Sequence, residues 1–338
     1  MSRAAVAETR PRSPITERAV AFVAEHKPAA EALGRRLADE LDDPDRFASM
    51  LRDGFRRLAD PEYHDGQHAV VPGLGPTHGV RWPLIQAVNR GFRDATHGER
   101  TSRWLFVADR LFREAEIEAR WFTFGLLDRL VRDEPERTWQ LLRRAAREAG
   151  DWATVDALAH PYGKGILNEP YRWAELEQLV FSPSRWERRL VGSTVATLPF
   201  VDRRSGREAA VASHGLDLIG QLIGDDEPDV QKALAWALRS LVLVDAAAVE
   251  AFCRREANRA RETGDGHRAW VVRDALPKLN PIAAGELRAT LDGIRRRPGT
   301  SSTSTASEAA GRFGGGMLGM PLGEPPLARY PDDQTNDR

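Results

Sequence analysis

A chain of 338 residues with 41% hydrophobic content can build one large core, two modest domains or an elongated helical array. Its formal net charge of −1 gives no global pull toward nucleic acid, so any DNA contact has to be local. The single cysteine, Cys253, excludes an internal disulfide, and charged residues cut every apolar run well short of the roughly 20 residues that cross a bilayer. With no apolar leader at the N-terminus, the expectation is a cytoplasmic protein with no membrane partner.

Residues 1–14 are polar and proline-punctuated, and order is expected from about residue 15, where TERAVAFVAEH starts a helical pattern. Further helices are predicted over roughly 28–41, 44–59, 83–96, 102–113, 115–132, 135–149, 151–159, 171–180, 184–199, 208–223, 228–243, 246–262, 267–277 and 282–296. No strand competes, and short runs such as LVLV (241–244) continue a helical period. Ser184 and Glu187 form an S-x-x-E capping box, and Pro228 occupies a first turn. Helix pairs recurring at about 35–45 residues point to an all-α, HEAT-like helical-repeat solenoid over 15–297, in which each pair buries its apolar face against its neighbours. Two segments break the pattern. Residues 61–81, rich in Gly, Pro and His, read as the longest internal loop, since Gly66 disfavours a helix there. Residues 298–338 hold Gly, Pro, Ser and Thr with little apolar periodicity and are expected to be disordered.

The loop's His64, Asp65, His68 and His78 invite a metal reading, but imidazoles at i and i+4 converge only on a helix and no further cluster completes four-fold coordination. No metal or cofactor is therefore expected. A Ser/His/Asp hydrolase lacks its G-x-S-x-G elbow, and no phosphate-binding glycine pattern occurs.

Three helices hold the informative residues. In DWATVDALA (151–159), Trp152 and Asp156 stand at i and i+4 on a helix that Asp151 can cap. Asp156 borders the apolar side, so it is either tied to an arginine of a neighbouring repeat or held ready for a cation. In the helix from Ser184, Leu190, Val191, Val195 and Leu198 define the buried side. Arg189 is left nearly opposite, exposed beside the small residues Ser193 and Ala196, while Arg188 falls where it snorkels or pairs with a carboxylate of the next repeat. In 228–243, Val230, Ala233, Leu234, Ala237 and Leu241 form one stripe, and Trp236 lies off it beside Lys232 and Arg239. An indole among cations can stack on an extended anionic partner, or it can pack beneath an adjacent loop. The basic residues are 45 Arg and 4 Lys; guanidinium suits bidentate phosphate contacts, although such a preference also follows from genome base composition.

In this order the segments resemble the DNA alkylation repair glycosylases built from HEAT-like repeats. That family carries a W-W-D-x-V-D-like motif, a W-x-R-R motif at a helix start and a Q-K-A-h-x-W-h-L-R motif, with h apolar; here the corresponding stretches are DWATVDALA (151–159), WERRL (186–190) and QKALAWALRSL (231–241). GVRWP (79–83) is a looser match to an upstream G-V-x-x-P segment, and the resemblance covers roughly 30–280. Asp151 stands for the motif's first Trp and Ala153 for its middle Asp.

The resemblance implies that Trp152 and Trp236 flank the lesion's deoxyribose, that Asp156 is the catalytic carboxylate and that Arg189 contacts phosphate, with Lys232 and Arg239 as neighbouring DNA contacts. It also implies a concave DNA-binding face on which these residues converge, and an enzyme that hydrolyses the N-glycosidic bond of cationic N3- or N7-alkylated purines in duplex DNA as a monomer, without a deep base pocket. Two rival readings remain: a HEAT-like DNA-structure binder that has lost excision, and a protein-interaction scaffold.

Overall fold

A computed structural model describes residues 13–71 and 73–309. Helix accounts for 77% of the described residues and no strand occurs among them, so the fold is an all-α array of helices in succession. The chain divides into two compact units, one formed by residues up to 173 with 193–211, the other by 174–192 with residues from 212 onward.

The first unit contains α1 (Pro14–Leu37), α2 (Pro44–Arg57), α3 (Pro61–Val70), α4 (Trp82–Ala95), α5 (Ser102–Leu111), α6 (Ile117–Asp133), α7 (Pro135–Glu148) and α8 (Trp152–Asn168). Four of these eight starts are capped by a side chain: Ser13, Asp43, Asp60 and Asp151 each accept a hydrogen bond from a backbone N–H of the first turn, satisfying donors that have no intrahelical partner. Helices α1 and α4 meet at their backbones. A Cβ on Gly34 would lie 2.1 Å from the Val88 carbonyl oxygen, and one on Gly91 equally close to that of Glu31, so only glycine permits the crossing. Beneath them Phe47, Phe92, Phe122 and Trp104 form an edge-packed aromatic core, and α6 lies alongside α8.

The second unit contains α9 (Trp173–Leu179, but for its first residue), the start of α10 (Arg185–Val201), most of α11 (Ala209–Leu222), α12 (Pro228–Leu241), α13 (Ala246–Thr263), α14 (Gly266–Ala275) and α15 (Pro281–Thr290). Helix α12 packs on α14, and α13 on both α14 and α15. The fully buried Arg268 is held by Glu256 and by Asp265, the latter at 3.1 Å, which compensates the charge removed from water.

Several expectations change. Residues 61–70 are helix α3, not loop: Asp60 caps it and Pro61 presets its first turn, which offset the roughly 1 kcal/mol that the exposed Gly66 costs, and the buried Gln67 accepts from Thr77 Oγ1 at 3.3 Å. Pro28 and Pro161 lie inside α1 and α8, so the first helix starts at Pro14 without a break and the eighth runs nine residues beyond the expected 159. In place of the expected capping box, Glu187 accepts from Ser182 Oγ, which itself accepts from the Ser184 N–H at 3.1 Å. Residues 298–309, expected to be disordered, lie on the second unit: Thr303 N–H donates to the Gly224 carbonyl at 2.8 Å, and His267 bonds Thr300. The rest of the expected disordered tail, residues 310–338, and residues 1–12 lie outside the described residues.

Candidate active site

In the first unit, Tyr63 of α3, Trp82 at the start of α4, Trp121 of α6 and Trp152, Ala153, Asp156 and Ala157 of α8 line a cleft of about 310 Å³. Each wall has a local cause. Asp151 accepts from the Thr154 N–H at 2.8 Å and from Thr154 Oγ1 at 2.7 Å, fixing the first turn of α8 and with it the direction of Trp152. Burial pushes the Asp151 carboxyl above its usual value, against the Thr154 hydrogen bonds that lower it. The indole N–H of Trp152 donates to the Val70 carbonyl at 3.4 Å, and that of Trp121 to Thr154 Oγ1 at 3.3 Å. Trp82 stands edge-to-face against Trp121, with ring centroids 6.1 Å apart, and is 39% exposed. Arg81 lies over the Tyr63 ring at 4.7 Å while its Nε donates to Asp60 at 2.6 Å, and burial pushes the Tyr63 phenol up. Beside the cleft, buried Glu118 accepts the backbone N–H groups of His78, Gly79 and Val80 at 2.9, 2.9 and 3.2 Å, which ties the segment before α4 to α6. Gly79 has φ +81°, open to glycine at little cost, and a Cβ there would sit 2.6 Å from that of His64.

Asp156 is half-buried on the cleft wall, one turn after Trp152, and accepts a hydrogen bond from Ser193 Oγ at 2.7 Å. The small residues Ala153 and Ala157 keep this wall low, so a carboxylate faces a space otherwise bounded by aromatic rings. Such a surface offers flat apolar contact and one negative charge, chemistry suited to a planar cationic ligand or a sugar becoming positive.

Of the residues singled out from sequence, Trp152 and Asp156 thus share this cleft. Arg189, Lys232, Trp236 and Arg239 belong to the second unit. There the apolar stripe of α12 is fully buried as expected; Lys232 is exposed and Trp236 half-buried. Arg188 pairs with Asp225 at 2.7 Å, one of the two arrangements its position suggested. Arg189 corrects its expectation: it is only 5% exposed, and its guanidinium donates to the Asp229 carbonyl at 2.6 Å. Ser193 and Ala196, read as an open face, are buried as well. Arg239 donates to the Asp274 carbonyl at 2.9 Å and pairs with its carboxylate. His64 and His68 do ride on a helix, with ring centroids 5.6 Å apart, and no group of three or more His, Cys, Asp or Glu among the described residues is arranged to hold a metal ion. Cys253 is buried with its thiol pushed up to about 12 by that burial, which leaves it a poor nucleophile.

Sequence reasoning missed Tyr63, Trp82, Trp121 and Ser193 as site residues. Trp82 lay inside the quoted GVRWP segment, but Trp121, 5% exposed among apolar neighbours, carries no signal that separates it from core.

The described residues thus form an all-helical array whose first unit carries an aromatic cleft with a carboxylate on its wall. The family model described as DNA alkylation repair enzyme matches residues 51–279, more than half of the chain, and the protein belongs to that family. Among curated proteins no match is found. Membership assigns a role in DNA repair and DNA as the partner. No helix among the described residues is long and apolar enough to cross a membrane.

Proposed function

We propose that the protein is a DNA glycosylase that hydrolyses the N-glycosidic bond of cationic N3- or N7-alkylated purines in duplex DNA. The observation that carries this reading is Asp156 on the wall of the aromatic cleft, one turn from Trp152 and oriented by Ser193. Alkylation makes the purine a cation, so the C1′–N bond breaks with its electron pair passing to the base, which leaves neutral and needs no proton. The positive charge that develops on the sugar lies beside the Asp156 carboxylate, and water then adds to C1′ with loss of a proton. Trp152 supplies a ring face for the sugar, a contact worth on the order of 1 kcal/mol to a partial cation.

In the second unit, the exposed Lys232 and half-buried Trp236 are proposed as contacts to the DNA backbone. Arg189 and Arg239 already bond protein groups, so a phosphate contact from either would share its guanidinium with those bonds. The alternative, a DNA-structure binder without excision, draws on Asp151 and Ala153 standing where the family carries Trp and Asp.

Release of 7-methylguanine or 3-methyladenine from alkylated duplex DNA separates the two readings. Asp156→Asn is expected to slow release on the order of 10²–10³-fold while DNA binding stays near wild type. Equal release by both proteins would remove the catalytic assignment.

A further inference from the structure

One turn beyond Asp156 on α8 stands His160, and one turn beyond that Lys164; both reach across to Asp128 of α6. His160 Nδ1 lies 2.9 Å from one Asp128 carboxylate oxygen, and Lys164 Nζ lies 3.1 Å from the other and donates to the Asp128 carbonyl at 2.5 Å. Burial raises the Asp128 carboxyl, but the His160 hydrogen bond and the Lys164 charge outweigh it and hold the group below the usual carboxylate range. Asp128 is therefore an anion already balanced by Lys164. With Nδ1–H donated to it, the imidazole ring is fixed and its Nε2 points the opposite way. The His160 side chain is 49% exposed, and no hydrogen bond from a described residue reaches Nε2.

A tie between two helices needs only the Lys164–Asp128 pair, which is the more buried and makes two bonds. The second partner, with an open ring nitrogen on the same helix as the proposed catalytic carboxylate, asks for another account. From Asp156 to His160 the helix rises about 6 Å, a length over which one strand of a duplex, at about 3.4 Å of axis per phosphate, advances by fewer than two nucleotides. We propose that Asp128, His160 and Lys164 form a phosphate-binding site that grips the DNA backbone next to the nucleotide held at Asp156. This rests on the reading of the Asp156 cleft as a DNA site.

The charges fit. The trio is neutral with a neutral imidazole and carries one positive charge when Nε2 is protonated, so a phosphate oxygen at Nε2 receives a charged hydrogen bond while Lys164 cancels the carboxylate behind it. His160 is the residue that touches the phosphate, and Lys164 is a positioning residue that acts through Asp128; neither touches the reacting bond.

Binding of a fluorescein-labelled duplex, followed by anisotropy from low to moderate salt, tests the site together with single-turnover release from the alkylated duplex. For His160→Ala the slope of log K against log[salt] should be about 0.9 shallower than for wild type, one phosphate contact, with several-fold weaker affinity. His160→Gln, which keeps a hydrogen-bond donor but no charge, should regain part of the affinity and none of the slope. Release at saturating protein should stay within about twofold, while the protein concentration for half-maximal rate rises. Wild-type slope and affinity in both variants would overturn the site and leave the cleft reading intact, whatever happens to the melting temperature. Wild-type protein that binds the duplex with no salt dependence would overturn both.

Discussion

The α8 cleft of the first unit and the α10–α12 contact of the second carry motif residues of equal standing in the sequence, yet they use them differently. In the cleft, Trp152 and Asp156 come to the wall of an open space, and the residue that fixes them, Asp151, is buried behind (2% exposed). In the second unit the arginines do the fixing: Arg189 bridges from α10 to the Asp229 carbonyl of α12, Arg188 holds Asp225 and Arg239 holds Asp274, leaving Lys232 as the exposed cation of that set. A motif therefore preserves both a surface and the brace that shapes it, and spacing alone does not say which residue is which.

Substitutions that separate brace from surface sharpen this comparison. The largest effect is expected at Arg189. Arg189→Ala removes a buried charged donor and strands the Asp229 carbonyl, so stability should fall by about 2–3 kcal/mol in chemical denaturation. If stability holds and the salt slope of DNA binding flattens instead, Arg189 belongs with the surface residues and the contrast between the units disappears.

At the cleft, Asp151→Ala loses the cap of α8 and should cost about 1 kcal/mol, with release slowed because Trp152 and Asp156 sit on the loosened turn. Asp151→Asn sharpens the point through pH. The wild-type carboxyl titrates above its ordinary value of about 3.9, so the folded state binds its proton more tightly than the unfolded state does. Stability from this group is present at low pH and declines as pH rises from about 4 through the raised folded value. The Asn variant lacks that decline, which thermal melts across the range would show.

The smallest effect is expected at Lys232. Lys232→Ala should leave stability within about 0.5 kcal/mol, since the side chain is exposed, while the salt slope of DNA binding becomes about 0.9 shallower. An unchanged slope would strip the second unit of its proposed surface contact.

Local chemistry made much of this molecule legible in the sequence. Acceptors before helices, prolines at first turns and the 3.6-residue period are properties of neighbouring residues, so the succession of helices, the cap at Asp151 and the buried stripe of α12 could be read directly. So could the placing of Trp152 and Asp156 on one face, because i and i+4 meet on any helix. Tertiary structure alone decided which face found a neighbour. Helix α3 formed despite Gly66 because Gln67 and Asp60 had partners elsewhere, and α8 continued through Pro161 because its far end is buried. Arg189 went inside because a carbonyl of α12 lay within its reach, and Trp121 and Tyr63 became cleft walls because α3, α6 and α8 meet there. The period of a helix fixes which residues share a side; only contacts between residues far apart in the chain settle whether that side faces protein or water.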